Sequence, residues 1–151
     1  MKQIITYLRV HILLLLLIIG AAPVVLQAQD LSGSTWRSTF DHTGAKGYIS
    51  YHFTSAQAGY YEYSVKSIFK DYKGRGDFTY STDDGRRYII SDVDHPDDPD
   101  YKTQVQISGQ LLTLSMPPRV EQMVEGSPGF VRKILDEYLS DMLSLQRQVM
   151  P

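Results

Sequence analysis

The clearest strand pattern in the sequence is Tyr48-Ile49-Ser50-Tyr51-His52-Phe53-Thr54. Ile49, Tyr51 and Phe53 alternate with polar residues, so they fall on one face of an extended chain. Aromatic and β-branched residues also favour strands. The segment therefore predicts a β-strand whose apolar face points towards a core.

The same unit, a short alternating run followed by a turn signal, repeats from Thr35 to Met116. Asp84-Gly85, for example, is typical of a tight hairpin turn. Regularly spaced short strands predict an antiparallel sandwich or barrel rather than βαβ units. We expect strands at residues 35–40, 48–54, 60–69, 87–93, 103–108 and 111–116, and a short one around Phe78 and Tyr80.

The third of these runs carries two specific expectations. Its alternation places Tyr61, Tyr63, Val65 and Phe69 on the inner face. The following Lys-Gly-Arg-Gly, residues 73–76, is expected to be a turn because glycines mark turns. Arg-Gly-Asp at residues 75–77 would then lie in a hairpin. A tripeptide match carries little information, and a charged surface turn explains it better than a receptor motif.

After Pro117-Pro118 the pattern changes from alternation to helical spacing. Ser127 as N-cap and Pro128 as first residue predict the start of a helix. Residues 143–148 either prolong this helix or form an eighth strand, and we expect a strand paired with the first because it removes an open sheet edge. The apolar residues with i, i+3, i+4 spacing are Phe130, Ile134, Leu135, Tyr138, Leu139 and Met142.

The predicted fold is thus mainly β, a single antiparallel meander barrel of seven to eight strands with one C-terminal α-helix, covering residues 29–151. Residues 1–28 predict a signal peptide, with Lys2 and Arg9 before an apolar run at 12–19 and a cleavage site after Ala28. A membrane anchor is the alternative, but a span needs roughly 20 apolar residues and Pro23 interrupts the stretch. We expect a periplasmic or extracellular protein without a stable membrane anchor after processing.

Composition narrows the possible partners. The chain has 15 Lys and Arg against 17 Asp and Glu, and removal of residues 1–28 takes away Lys2 and Arg9 only, which leaves 13 against 17 and a net charge of −4. A mildly acidic chain without a basic stripe is not expected to bind nucleic acid. The sequence has no cysteine, so the domain must be stabilised by burial without disulfides.

Strand order and one local motif resemble the lipocalin-like fold, in particular the small secreted lipocalin-like domains of bacteria. The motif is Leu31-Ser32-Gly33-Ser34-Thr35-Trp36. The family usually has Gly-x-Trp where the first strand begins, whereas two residues separate Gly33 from Trp36 here. The resemblance implies that Arg147, on the last strand, packs over Trp36 and closes the barrel. The long loop that follows the first strand in the family is missing here.

A set of aromatic residues is the candidate lining of a ligand cavity. The inward side chains of an eight-stranded barrel either fill it or leave room for one small ligand. Tyrosine favours a polar cavity because a buried hydroxyl needs a hydrogen-bond partner. A completely filled core is at least as compatible with the pattern. The set is Trp36, Phe40, Tyr51, Phe53, Tyr61, Tyr63, Phe78 and Tyr80.

One acidic loop is a weak candidate for calcium binding, because calcium prefers oxygen ligands. Its spacing fits no EF-hand, and we expect a solvated loop without a tight metal site. The five carboxylates are Asp92, Asp94, Asp97, Asp98 and Asp100. No motif indicates a catalytic nucleophile or a cofactor, so no catalytic residue is predicted.

Two functions remain open from the sequence. The first is a secreted, non-enzymatic binding protein that holds a small apolar or amphipathic ligand in a lipocalin-like barrel. The second is a protein-interaction or inhibitor module with a filled core that acts through its loops. A cavity lined by tyrosine favours the first, and a filled core with exposed apolar residues favours the second.

Overall fold

The computed structural model of the chain describes residues 29–42 and 44–149. The predicted signal peptide lies outside the described residues. The described part contains eight antiparallel strands that pair in sequence order and close into a barrel. They are β1 Ser34–His42, β2 Ala45–Phe53, β3 Ala58–Ser67, β4 Asp71–Thr82, β5 Arg87–Asp92, β6 Lys102–Ser108, β7 Leu111–Leu114 and β8 Ser144–Arg147.

The predicted meander barrel with a C-terminal helix is therefore confirmed, including its eighth strand. That helix, α2, spans Gly129–Met142. It begins one residue later than expected, because Pro128 is the N-cap and the hydroxyl of Ser127 donates to the carbonyl of Met123 instead of capping α2. A shorter helix that we did not predict, α1 at Pro118–Glu125, precedes it, and a 3₁₀ turn at Pro99–Tyr101 precedes β6.

The turn predicted at residues 73–76 is wrong, because these residues lie inside the long strand β4. Gly74 and Gly76 are strand positions that make room for aromatic rings. Tyr63 is the cross-strand partner of Gly74, and Tyr61 is the partner of Gly76. Each tyrosine ring lies directly over its glycine, where a Cβ atom would collide with it. The Arg-Gly-Asp tripeptide is consequently part of a strand and not of a hairpin turn.

The third strand is also shorter than predicted, since β3 ends at Ser67. Phe69 was expected on the inner face, but it lies at the tip of the β3–β4 hairpin and 90% of its surface is exposed. The reversal happens here because Ser67 and Lys70 close the turn. The Ser67 hydroxyl donates to the Lys70 carbonyl at 2.8 Å and accepts from the amides of Phe69 and Lys70.

The core fills the barrel between its inward-facing strand positions. Trp36, Phe53 and Phe78 are almost completely buried, and Phe53 meets Phe78 and Tyr80 edge-on with centroids 5.4 Å and 5.0 Å apart. Edge-to-face packing of this kind adds to the free energy gained by burial. The aliphatic members of the core are Leu31, Ile90, Val105, Leu112, Leu114 and Leu145.

The barrel closes where β8 pairs with β1. Trp36 is the cross-strand partner of Arg147, whose guanidinium carbon lies 5.7 Å from the centre of the indole. Leu145, on the same face of β8, is fully buried. The indole nitrogen of Trp36 donates to the hydroxyl of Ser34 at 2.9 Å, so the buried ring has its polar group satisfied.

The two ends of the barrel differ in construction. The closed end carries the tight connections 54–57, 83–86 and 109–110 together with residues 29–33. There Leu31 is buried, and the hydroxyl of Tyr88 donates to the carbonyl of Gln29 at 2.7 Å. The loop end carries the connections that follow β1, β3, β5 and β7, including both helices. No helix within the described residues is both long and apolar enough to cross a bilayer.

Candidate functional site

The eight aromatic residues of the predicted cavity lining divide into two groups. Six are buried; five of these belong to the core cluster, whereas Phe40 packs against Tyr138 of α2. Tyr61 and Tyr63 are only partly buried and lie towards the loop end. The six buried members are Trp36, Phe40, Tyr51, Phe53, Phe78 and Tyr80.

Of the predicted cavity lining, Tyr80 borders one of five recesses of the described chain. The five recesses have volumes of about 250, 270, 270, 350 and 440 Å³. None of the five is lined by Tyr51, Tyr61 or Tyr63, whereas Tyr80 lines the one of about 350 Å³ at the closed end. Among these five recesses, the one that borders the predicted aromatic set thus lies at the closed end, beside Tyr80.

Three tyrosines form an inner row that leads from the core towards the loop end, and we call Tyr51, Tyr61 and Tyr63 the tyrosine row. Tyr51 is 9% exposed, and its ring centre lies 5.8 Å from that of Tyr61. Burial raises the pKa of Tyr51 above that of an exposed phenol, and the nearby Tyr61 adds to this effect. Burial also raises the pKa of Tyr61, with Asp92 the next contribution.

Among the hydroxyls of this row, that of Tyr51 belongs to the most buried side chain. It makes no hydrogen bond to any residue that the structure describes, whereas the hydroxyls of Tyr80 and Tyr88 both donate to backbone carbonyls. The one side-chain nitrogen or oxygen in the described chain that is both sealed from solvent and unpartnered is Nε2 of His52.

The tip of the β3–β4 hairpin exposes two large apolar side chains at the loop end. The hairpin tip consists of Ile68 and Phe69, which are 76% and 90% exposed. The Ser67 hydrogen bonds described above fix this turn, so both side chains project from a rigid base. The amide of Ile68 also donates to the carbonyl of Gly44, which ties the tip to the β1–β2 connection.

Helix α2 contributes a second exposed apolar surface at the same end. None of its residues is buried, although the structure describes them all. It is held to β1 through Tyr138, which packs against Phe40, and by His42 Nε2, which lies 2.7 Å from Asp141 Oδ2. One and two turns before Tyr138 on the same face, Ile134 and Phe130 are 50% and 74% exposed.

The acidic loop between β5 and β6 folds on its own carboxylates. Asp92 Oδ1 accepts the backbone amide of Asp94 at 2.8 Å and that of His95 at 3.2 Å, and Asp98 accepts the amide of Asp100 at 3.0 Å. Within residues 29–42 and 44–149, no three His, Cys, Asp or Glu side chains are grouped so as to hold a metal ion. Asp92 and Asp98 are thus turn-forming residues in this geometry.

The outer face of β1, β2 and β3 carries a polar cluster that the sequence did not reveal. Arg37 Nε donates to the buried hydroxyl of Ser50 at 2.7 Å, and Glu62 lies 3.8 Å from Arg37 and 3.5 Å from His52. These residues are widely separated in sequence and meet only through the strand register. Glu62 lies between Arg37 and His52, whose Nε2 still lacks a hydrogen bond, and we interpret the cluster as a structural network of the outer wall.

The chain was compared with protein-family models, curated proteins and solved structures. No protein-family model, no curated protein and no solved structure matches this chain.

Proposed function

We propose that this chain is an exported, non-enzymatic interaction module that binds a protein partner with its loop end. The observation that carries the proposal is the hairpin tip, where Ile68 and Phe69 are 76% and 90% exposed on a turn fixed by Ser67. Two large apolar side chains at such a turn cost solubility, and turn geometry does not require them. A partner pocket that buries them accounts for their presence.

The construction of the rest of the molecule supports a partner of protein size. The core is packed with aromatic and aliphatic side chains, which favours the second of the two functions left open by the sequence. Ile134 and Phe130 of α2 lie at the same end of the barrel as the hairpin tip. Protein interfaces combine a few aromatic anchors with a polar rim, and the loop end offers both kinds of group.

Binding of a partner by the hairpin tip can be tested by crosslinking, followed by measurement of the affinity for the partner that is captured. A photo-crosslinking amino acid at position 69 of the full chain should capture a partner in the exporting cell. With the purified partner, Ile68→Ser combined with Phe69→Ser should weaken binding at least about tenfold, since buried apolar anchors dominate interface energetics. Ile89→Ser is the matched control, because Ile89 is an exposed apolar residue on β5, away from the tip.

Equal affinity of the tip variant and the Ile89 variant would contradict the proposal. So would crosslinks that form only between copies of this chain. Circular dichroism of both variants must match the unsubstituted protein, since neither position contributes to the core.

A second candidate function, the holding of a small amphipathic ligand, is favoured by the hydroxyl of Tyr51. The hydroxyl of this buried ring makes no hydrogen bond to a described residue, so it can bond to a ligand placed over the tyrosine row. Such a ligand would bind near the loop end, where Tyr61 and Tyr63 are only partly buried. Membership of the lipocalin-like family is proposed on the strand order and on the stacking of Arg147 with Trp36.

This candidate predicts a specific response of the only tryptophan to a neutral probe. N-phenyl-1-naphthylamine should change Trp36 emission on binding, because Trp36 is the cross-strand partner of Tyr51. Tyr51→Phe should lower probe affinity by about tenfold if the hydroxyl oxygen accepts a hydrogen bond from the N–H group of the probe, which is the free energy of one buried hydrogen bond. Tyr88→Phe is the control, since that hydroxyl is already bonded at the closed end. Absence of any probe binding would remove the candidate.

A further inference from the structure

Strand β4 is twice as long as its neighbour β5, so half of it has no partner on that side. Register pairing joins Phe78–Thr82 of β4 to residues 88–92 of β5. Residues 71–77 of β4 pair with β3 alone. Beyond Asp92 the chain leaves the sheet for the acidic loop, and the one backbone bond past the paired region runs from the amide of Val93 to the carbonyl of Asp77 at 3.1 Å.

The direction of the backbone groups follows from that bond. The amide and carbonyl of one residue in an antiparallel strand point to the same side, and the side alternates along the strand. The Asp77 carbonyl points towards β5, so the groups of Asp71, Lys73 and Arg75 do the same. No described residue bonds to them there. We call the backbone groups of residues 71–77 on this side the open edge.

The open edge has two chemically different flanks. On the inner flank, the rings of Tyr61 and Tyr63 lie across Gly76 and Gly74 and form an aromatic surface, which we call the tyrosine floor. On the outer flank stand Lys73 and Arg75, with Asp71 and Asp77 on the same face at its two ends. Arg75 stacks 3.8 Å above the ring of Tyr60 and lies 4.0 Å from Asp77, whereas Lys73 makes no ion pair within the described residues.

We propose that the open edge accepts an extended peptide segment of a protein partner as an added β-strand. Its apolar side chains would face the tyrosine floor and its acidic side chains would face Lys73 and Arg75. Exposed sheet edges recognise peptides in this way, with backbone bonds for affinity and alternate side chains for selectivity. The inference rests on the proposed function and extends it, because the open edge runs directly into the hairpin tip.

Charge favours such a peptide over a second copy of this chain. Pairing of two open edges would bring the Lys73 and Arg75 side chains of both copies onto the same face, and like charges on facing strands are destabilising. Charged residues also guard edges against self-association. A segment with acidic side chains opposite Lys73 and Arg75, and basic ones opposite Asp71 and Asp77, reverses the sign of this interaction.

Hydrogen exchange of the full mature protein tests the edge itself. In the free protein the amides of Lys73 and Arg75 should exchange rapidly, while those of Gly74 and Gly76, bonded to β3, should be protected. The probe is a synthetic peptide of about seven residues with valine at alternate positions, glutamate opposite Lys73 and Arg75, and lysine opposite Asp71 and Asp77. Saturation with this peptide should protect the amides of Lys73 and Arg75 and leave Gly74 and Gly76 unchanged.

Two substitutions of Lys73 distinguish the contribution of its backbone amide to peptide binding from the contribution of its side-chain charge. Lys73→Pro removes the edge amide without removing a bond to β3, so the fold should persist and peptide affinity should fall at least about tenfold. Lys73→Gln keeps the amide and should retain strand addition, but with weaker discrimination against a peptide in which lysine replaces glutamate.

Protection of Lys73 and Arg75 in the free monomer would overturn the proposal, as would a peptide that leaves their exchange unchanged. The same holds if Lys73→Pro, folded by circular dichroism, binds the peptide normally. Dimerisation that protects the edge would assign it to a second copy instead. Loss of partner binding in the tip variant, with normal binding in Lys73→Pro, would retain the proposed function and reject the strand addition alone.

Discussion

Deletion of residues 143–151 is expected to abolish cooperative folding of the domain. The deletion removes Leu145, which is fully buried, and exposes the backbone of β1 and β7 at once. Loss of a buried leucine side chain alone costs about 2–5 kcal/mol, and a domain of this kind has only about 5–15 kcal/mol in total. Backbone bonds to Gln110, Leu114 and Thr35 are lost in addition.

Urea titration followed by far-ultraviolet circular dichroism and Trp36 emission measures the effect. Deletion of residues 149–151 is the control and should be silent, because Val149 is exposed. Arg147→Ala should give an intermediate loss of about 1–2 kcal/mol and a shift in Trp36 emission, since it removes both the stacking and the methylene packing over the indole. A truncated chain with unchanged melting temperature and emission would mean that β8 does not close the barrel.

Gly59→Ala is expected to destabilise the domain by at least about 3 kcal/mol, the upper part of the range for overpacking. A Cβ atom at this position would meet the carbonyl oxygen of His52 and lie 2.5 Å from Cζ of Phe78. The first is backbone of the paired strand, and the second is a buried ring held between Phe53 and Tyr80. Neither can move without disturbing the core.

Gly129→Ala is the matched control for this substitution. No atom lies within 4 Å of a Cβ built at Gly129, which is exposed at the start of α2. Alanine there should leave stability unchanged or raise it by up to about 1 kcal/mol, because it lowers the entropy of the unfolded chain. Equal midpoints of chemical unfolding for the two variants would show that Gly59 is not a packing position.

The proposed binding features all belong to the loop end, and they differ in how they respond to these variants. The hairpin tip and the open edge lie on the β3–β4 hairpin, which is paired to β2 and does not touch β8. Arg147→Ala should therefore lower stability without changing partner affinity. Substitutions at Ile68, Phe69 or Lys73 should lower partner affinity without changing stability, because these residues contribute nothing to the core.

The sequence by itself determined the strand meander, because alternation of apolar and polar residues is a local pattern. Ile49, Tyr51 and Phe53 lie on the predicted face, and the helical spacing around Ile134 and Tyr138 marks α2 correctly. The expected pairing of the last strand with the first is also confirmed. This pairing could be predicted because an open sheet edge leaves backbone groups unpaired and exposed, which proteins generally avoid.

The candidate site was decided only by the tertiary structure. Gly74 and Gly76 read as a turn in the sequence, because a glycine beneath a cross-strand tyrosine ring has no local signature. Phe69 continues the alternation of β3, yet it is exposed because the chain reverses at Ser67. The open edge arises from the difference in length between β4 and β5, a relation between strands that appears only when their register is fixed.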